Sequence, residues 1–313
     1  MPGSYWALVG PTAVGKTEIA MEVARVHAVE VIGLDSRQIY KYLDIGTAKP
    51  TPEEQTAVPY HMLDVIEPHE SYDAMAYARR ARGIIAEIEA RNAQPFVVGG
   101  TGFYLDALMG KINESLPRSS AEIRQVLQAE LREKGPMELW RRLRDLDKET
   151  AKRLHPRDRS RILRALEIIQ KTGKPLSTLT AGSPARPWGT WRIVVLTIDR
   201  EALKARISER IESMLKAGWC EEVERLIASG FDEHSPGMSS LGYGEIIQVV
   251  RGELPIDEAK QRIATRTWRY AKRQLTWFRR FPKERWITIE DDPVATRGNV
   301  LELLAEPKEL TNR

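Results

Sequence analysis

The sequence predicts an α/β protein with a doubly wound parallel sheet and an all-helical insertion domain. Three observations support this class. A glycine-rich loop joins an apolar run to a helical pattern, short apolar runs alternate with helices, and a long stretch in the middle of the chain has no strand pattern. The first two features together are typical of the P-loop NTPase fold.

The glycine-rich loop follows the apolar run at residues 5–9 and has the pattern G-x-x-x-x-G-K-T. Its glycines permit a tight turn whose N–H groups point at one anion, and the next helix directs its positive end there. The Thr17 hydroxyl can bind Mg²⁺ carried on the phosphates, so Mg²⁺ is the expected cofactor. The predicted ligands of a di- or triphosphate are Gly10, Pro11, Thr12, Ala13, Val14, Gly15, Lys16 and Thr17.

The apolar runs are continuous rather than alternating, which is typical of parallel strands covered on both faces. We predict strands at residues 5–9, 29–34, 95–98, 192–198 and 285–289. Helices are predicted at residues 16–28, 72–91, 201–230 and 256–280.

A helical block separates the third and fourth predicted strands. Helix stops occur in it at Gly135-Pro136, at His155-Pro156 and at Gly173. We therefore expect residues 1–115 and 188–313 to form the catalytic core and residues 116–187 to form the insertion domain.

The distribution of charge along the chain indicates what kind of partner the protein binds. The 313 residues have a net charge of +4, but residues 118–174 carry a surplus of +7 and residues 262–286 one of +8. Two basic segments on an otherwise acidic chain indicate a polyanionic partner, although solvated helix faces remain an alternative.

Cys220 is the single cysteine, and no apolar stretch is long enough for a membrane span, so we expect a cytoplasmic protein without membrane contact.

Two polar residues end predicted strands beside the loop. Asp35 follows the second strand, where it would hold magnesium through water, accept a proton from a nucleophile, or cap a turn. Thr101 lies among Gly99, Gly100 and Gly102, where the backbone permits close approach of a ligand.

The predicted helix at residues 256–280 mixes arginines with aromatic residues. At helical spacing Arg262, Arg266, Arg269 and Arg273 share one face. Guanidinium groups pair with phosphates and aromatic rings stack on unpaired bases, so this helix is a candidate RNA-binding element. The alternative places the aromatic rings in the core and the arginines in water.

Taken together, these motifs resemble the bacterial tRNA dimethylallyltransferases, also called tRNA isopentenyltransferases. The resemblance rests on blocks in the family's order: Gly10-Pro-Thr-Ala-Val-Gly-Lys-Thr17, Asp35-Ser-Arg-Gln-Ile-Tyr40, Asp44-Ile-Gly-Thr-Ala-Lys-Pro50, Val98-Gly-Gly-Thr-Gly102, His155-Pro156, Arg161-Ile-Leu-Arg-Ala-Leu-Glu167, Leu241-Gly-Tyr243 and Tyr270-Ala-Lys-Arg-Gln-Leu-Thr-Trp277.

The resemblance implies transfer of a dimethylallyl group from dimethylallyl diphosphate to N6 of adenine 37 in tRNA. The loop would hold the diphosphate, Asp35 would be the general base, and Thr101 would lie in the reaction channel; we expect a monomer. The residues it implies in tRNA contact are Asp35, Ser36, Arg37, Gln38, Thr101, Arg124, Ser160, Arg161, Ile162, Leu163, Arg164, Ser240, Leu241, Gly242, Tyr243, Gly244, Glu245, Lys272, Arg273, Gln274, Leu275, Thr276, Trp277, Phe278 and Arg279.

Two other interpretations compete with this one. A small-molecule kinase would use the same loop for ATP and the arginines of the insertion as a lid over the phosphates. An RNA-binding ATPase without transferase activity is disfavoured, because no carboxylate follows Val97 and Val98 to hold magnesium.

Overall fold

A parallel sheet of six strands forms the centre of the computed structural model, which describes residues 4–113, 116–181, 187–289 and 292–305. The strand order is β3-β2-β4-β1-β5-β6, and every neighbouring pair is parallel. The strands are β1 Ser4–Val9, β2 Val29–Leu34, β3 Tyr60–His61, β4 Gln94–Gly99, β5 Thr190–Thr197 and β6 Trp286–Thr288. The predicted α/β class is confirmed.

Thirteen α-helices connect or flank these strands in the described part of the chain. They are α1 Lys16–Ala24, α2 Pro52–Ala57, α3 Ala74–Ala90, α4 Gly102–Leu108, α5 Ala121–Leu146, α6 Lys148–Arg153, α7 Arg159–Thr172, α8 Leu176–Ala181, α9 Arg200–Lys216, α10 Trp219–Ala228, α11 Tyr243–Val250, α12 Ile256–Phe278 and α13 Pro293–Ala305.

Helices cover the sheet on both faces, which explains the continuous apolarity of its strands. Leu8 and Val194 pair in register and pack with Ile19 of α1 and Val300 of α13. Helices α3 and α4 pack against each other, and Tyr77 of α3 donates a hydrogen bond of 2.9 Å to the Gly33 carbonyl of β2. Successive side chains of a strand point to opposite faces, so a strand covered twice is apolar at every position.

The carboxyl ends of β2, β4 and β1 lie side by side at one edge of the sheet. Val9 and Leu34 both pair in register with Gly99. A Cβ on Gly99 would lie 2.2 Å from the Leu34 carbonyl oxygen, so only glycine fits there. This packing brings the loops that follow the three strands together.

The chain divides into two compact units, Met1–Met109 with Trp188–Arg313 and Gly110–Pro187. The predicted insertion was 116–187; residue 115, where the first part of the core was predicted to end, and residues 182–186 lie outside the described residues. In the first unit the Trp188 N–H donates a hydrogen bond of 3.0 Å to the Met109 carbonyl, so the chain leaves and rejoins this unit at neighbouring points.

The helical unit has an apolar core of its own. Leu127, Leu139, Leu143, Ile162 and Leu166 are buried in it, from helices α5 and α7. Gly135 adopts φ 78° and ψ 168° in α5, directly before Pro136, so this helix is kinked where the sequence predicts a stop.

Several elements differ from the prediction: helices α2, α4, α11 and α13 were not predicted, and α1 ends at Ala24 rather than at residue 28. Strand β3 was not predicted, because two residues leave no apolar pattern to detect. The predicted helix at residues 201–230 is two helices, α9 and α10, separated at Gly218 with φ 96°. Helix α12 ends at Phe278 rather than at residue 280.

Candidate active site

A cavity of about 490 Å³ opens at the carboxyl edge of the sheet. Its walls come from the phosphate loop, the end of β2, the 44–47 loop, the segment before α11, and helices α9, α10 and α12. Residues of its lining include Thr12, Asp35, Arg37, Thr47, Arg210, Trp219, Ser239, Arg266, Arg269, Tyr270 and Arg273. Cationic groups therefore surround a single carboxylate, that of Asp35.

The phosphate loop has the shape that its glycines predict. Gly15, the residue before α1, has φ 98°, and a Cβ on Gly10 would lie 2.7 Å from the Leu196 carbonyl. The Lys16 ammonium donates hydrogen bonds to the carbonyls of Gly10 at 3.1 Å and Pro11 at 2.7 Å. Burial and, to a smaller extent, the charge of Arg210 lower the pKa of Lys16 to about 7, against the charge of Asp35, which raises it. An anion bound here would stabilise the charged ammonium.

Arg210 and Arg206 of α9 join this site and were not predicted. The Arg206 guanidinium donates a hydrogen bond of 3.2 Å to the Val14 carbonyl of the loop. Burial lowers the pKa of Arg210, and the Asp35 carboxylate opposes that change. The two arginines are spaced i and i+4, but Glu209 and Glu212 on the same helix remove any local charge surplus that would have marked them.

Asp35 is held by its own turn. Its Oδ1 accepts a hydrogen bond of 2.8 Å from the Arg37 N–H, which fixes the carboxylate after β2. The Thr101 hydroxyl oxygen accepts a hydrogen bond of 3.2 Å from the Ser36 N–H. The structure thus brings the two predicted catalytic residues onto neighbouring strand ends.

Tyr270 of α12 lies near Asp35 and Thr101 and was not predicted as a site residue. Burial and the nearby Asp35 charge raise the pKa of Tyr270 to about 12, against a hydrogen bond with the Thr101 side chain that lowers it. The phenol therefore stays neutral at ordinary pH, as a hydrogen-bonding wall of the cavity.

The exposed face of α12 carries most of the predicted arginines. Arg266, Arg269 and Arg273 line the cavity, whereas Arg262 pairs with Glu258 along the helix. The Arg273 guanidinium lies 5.7 Å from the centre of the Tyr270 ring. One face of α12 thus places three guanidinium groups along the cavity wall.

Several residues predicted to contact tRNA in the first unit have buried side chains. Gln274 donates a hydrogen bond to the Gly100 carbonyl, and Phe278 is fully buried. Tyr243 donates a hydrogen bond of 2.6 Å to the buried Glu222. Glu245 pairs with Arg266, and a Cβ on Gly242 would lie 2.2 Å from the Trp219 ring. Their side chains stabilise the fold and do not form an accessible surface. The members that are exposed or half-buried as residues are Ser36, Arg37, Gln38, Thr101, Leu241, Gly244, Lys272, Arg273, Leu275, Thr276, Trp277 and Arg279.

The helical unit holds the remaining predicted tRNA contacts. Ser160 and Arg161 are exposed at the start of α7, and Arg124 of α5 is half-buried. Ile162 and Leu163 are buried in the apolar core of this unit. Arg164 binds the Pro117 carbonyl and Glu167, so its guanidinium is engaged within the same unit. Among these predicted contacts, Arg161 at the start of α7 is the exposed cation.

The residues at the start of α1 fit a magnesium ion bound mainly to phosphate. The Thr17 hydroxyl has no hydrogen-bond partner among the described residues. Within residues 4–113, 116–181, 187–289 and 292–305, no group of three His, Cys, Asp or Glu side chains is arranged to hold a metal. Magnesium keeps several waters and phosphate oxygens and takes one or two protein ligands, which suits this donor set.

Family profiles, related sequences and solved structures are all similar to this chain. The IPP transferase family profile matches residues 38–281, and the isopentenyl transferase profile matches residues 3–66. The tRNA dimethylallyltransferase of Syntrophobacter fumaroxidans is 43% identical over 305 residues, covering 97% of this chain and 87% of that protein. The full-length tRNA isopentenylpyrophosphate transferase of Bacillus halodurans is 33% identical with a TM-score of 0.68, covering 97% of both chains.

A eukaryotic dimethylallyltransferase acting on tRNA is similar in structure, with a TM-score of 0.74 at 27% identity. That match covers 88% of this chain and 70% of the eukaryotic chain. The sheet, the phosphate loop and the cavity define a protein of the P-loop class with a basic helix beside its anion site. The chain belongs to the IPP transferase family.

None of the helices in the described ranges is long and apolar enough to cross a membrane.

Proposed function

We propose that this chain is a tRNA dimethylallyltransferase, which transfers a dimethylallyl group from dimethylallyl diphosphate to N6 of adenine 37 in tRNA. The observation that carries the proposal is one cavity that combines an anion-binding loop, a single carboxylate and an arginine-bearing helix face. Family membership supports the same activity.

In the transfer, the N6 lone pair attacks C1 of the dimethylallyl group as the bond from C1 to the diphosphate oxygen breaks. The electron pair of that bond leaves with the diphosphate, and the N6 proton passes to the Asp35 carboxylate. Adenine N6 is a weak nucleophile because its lone pair is delocalised, so a positioned base lowers the barrier. Asp35 is fixed for this task by the Arg37 N–H.

The diphosphate leaving group gains negative charge during transfer, and positive groups surround the place where it would bind. Arg210 lines the cavity, Lys16 is close enough for its charge to interact with those of Arg210 and Asp35, and the N-terminus of α1 directs its dipole toward the same place. Mg²⁺, held by Thr17 and the diphosphate, would supply additional charge stabilisation there. Proton uptake by Lys16 would keep the ammonium charged beside the anion.

A base stacked in the anticodon loop cannot reach Asp35, so the target adenine must leave the stack and enter the cavity. The exposed cations Arg269 and Arg273 at the mouth would bind flanking phosphates, and Thr101 with Tyr270 would form the polar wall beside the base. Arg124, Ser160 and Arg161 of the helical unit would add contacts to the stem-loop. A single chain carries all these groups, so the proposed active form is a monomer.

A small-molecule kinase using ATP is the alternative that the phosphate loop alone allows. The curated relatives named as tRNA dimethylallyltransferases favour prenyl transfer over phosphoryl transfer.

The proposal is tested by incubating the protein with Mg²⁺, isotopically labelled dimethylallyl diphosphate and an unmodified tRNA transcript. Label should reach the tRNA, and a transcript with guanine in place of adenine 37 should stay unlabelled. Hydrolysis or transfer of the ATP γ-phosphate without RNA labelling would show that the proposed function is wrong.

A further inference from the structure

We propose that Gln274 is a positioning residue whose side-chain amide holds the phosphate loop in the shape that receives the diphosphate. The inference rests on the proposed function, in which that loop binds the donor. It gives Gln274 a role different from the tRNA contact that the family resemblance implies.

Gln274 joins two loops that follow neighbouring strands. Its Oε1 accepts a hydrogen bond of 2.8 Å from the Thr12 N–H, and its Nε2 donates one of 3.0 Å to the Gly100 carbonyl. Gln274 is 6% exposed; its bond to Gly100 is buried, and its bond to Thr12 is partly buried. A Cβ on Gly100 would lie 2.1 Å from Nε2, so the backbone there approaches the amide as closely as a glycine allows.

The bond to Thr12 acts on the anion site itself. Thr12 is in the turn of the phosphate loop and lines the cavity. In such a loop each free N–H is a potential ligand of the anion. Gln274 takes the Thr12 N–H away from the anion and fixes the direction of the peptide unit, which leaves the remaining donors and Lys16 to face the diphosphate.

The bond to Gly100 acts on the acceptor side. Gly100 directly precedes Thr101, whose hydroxyl meets Ser36 and Tyr270. One amide thus sets the distance between the diphosphate loop and the polar wall of the cavity. Both substrates must be held to a fraction of an ångström for in-line transfer, and this bridge supplies that geometry.

Only a group that accepts on one side and donates on the other satisfies both loops. In Gln274→Glu, the ionised carboxylate would accept from Thr12 but face the Gly100 carbonyl with a second acceptor. Protonation of that carboxyl restores a donor toward Gly100. Gln274→Leu has neither function at any pH.

The experiment measures the dissociation constant of magnesium pyrophosphate by titration calorimetry for the full-length wild type, Gln274→Glu and Gln274→Leu. Each is measured at about pH 8 and about pH 6, and each variant is compared with the wild type at the same pH, which cancels protonation of the ligand. Gln261→Leu is the matched control, because Gln261 is exposed on the same helix. Thermal unfolding and affinity for unmodified tRNA are recorded for every variant.

We expect Gln274→Leu to bind pyrophosphate about tenfold or more weakly at both pH values, since both hydrogen bonds of the buried amide are lost. Gln274→Glu should bind more weakly than Gln274→Leu at the higher pH and regain most of the affinity at the lower one. Gln261→Leu should match the wild type, and tRNA affinity should change less than about threefold, below the effect of losing one phosphate contact.

Wild-type affinity in both Gln274 variants would overturn the inference and leave the proposed function standing. Loss of tRNA affinity as large as the loss of pyrophosphate affinity would also overturn it, since that pattern indicates a general structural role. A wild type that binds no pyrophosphate would contradict the donor site itself, and the inference with it.

Discussion

The Tyr243 hydroxyl donates a hydrogen bond of 2.6 Å to the Glu222 carboxylate, which also accepts from three successive backbone N–H groups. Those groups belong to residues 44–46, directly before Thr47 in the cavity wall. A Cβ on Gly46 would lie 2.1 Å from the Trp219 indole nitrogen, so the loop packs closely against this buried ring. Glu222 is therefore an internal cap for a loop that shapes the cavity.

Replacing Glu222 by alanine should destabilise the protein by about 3 kcal/mol or more, because buried N–H groups lose their acceptor. Glu222→Gln keeps one side-chain acceptor and should cost less. Denaturant unfolding of both variants measures the difference. Equal stability of Glu222→Ala and wild type would show that water replaces the carboxylate.

Asp35→Ala should lower kcat for prenyl transfer by about 10² to 10⁴, the range expected for loss of a general base. Affinity for tRNA should stay within about tenfold, because the carboxylate acts mainly in the transition state. Single-turnover transfer and RNA binding are measured on the same preparation. Undiminished transfer would remove Asp35 from its proposed role.

Lys16 gives the donor site a defined pH dependence. Its pKa in the folded chain is about 7, against 10.5 in the unfolded chain, so the folded form binds fewer protons between these values. Stability from this residue therefore rises with pH across that window and is lowest below it.

A bound anion raises the pKa of Lys16, so diphosphate binding should take up a proton at about pH 8. Calorimetry in buffers of different ionisation enthalpy counts the protons, and Lys16→Met should abolish the uptake. Proton-neutral binding in the wild type would mean that Lys16 is already charged without the ligand.

Arg273→Ala should weaken tRNA binding about tenfold and reduce the slope of log K against log salt by about one phosphate contact. Arg262→Ala is the matched control on α12, since Arg262 is paired with Glu258 and does not line the cavity. Filter binding over a salt series measures both. An identical slope in the two variants would assign Arg273 to a solvated helix face.

Thr17→Ala should raise the Mg²⁺ concentration needed for half-maximal transfer, because the hydroxyl ligand is lost. Thr17→Ser keeps that hydroxyl and serves as the control. Magnesium titrations of transfer by both variants provide the comparison. The same magnesium requirement in Thr17→Ala as in the wild type would show that the ion is held without this side chain.

The parts of the fold and of the site that could be predicted are those marked by a local sequence pattern. The phosphate loop, Asp35 and Thr101 follow apolar strands within a few residues, so periodicity and glycine spacing were enough to place them. Gln274 and Arg210 meet the loop only through folding; Gln274 lies 262 residues from Thr12. Strand β3 depends on pairing with β2 and has no apolar run of its own. Contacts of that kind leave no mark in a single sequence.

The hydrogen bond between Trp188 and Met109 has a consequence for how such an enzyme can diversify. The two ends of the interruption are already adjacent, so a short peptide could close the gap and leave strand register untouched. The inserted helices, with the tRNA contacts proposed for them, are thereby free to lengthen, shrink or be exchanged, while the parallel sheet and the phosphate loop keep their architecture.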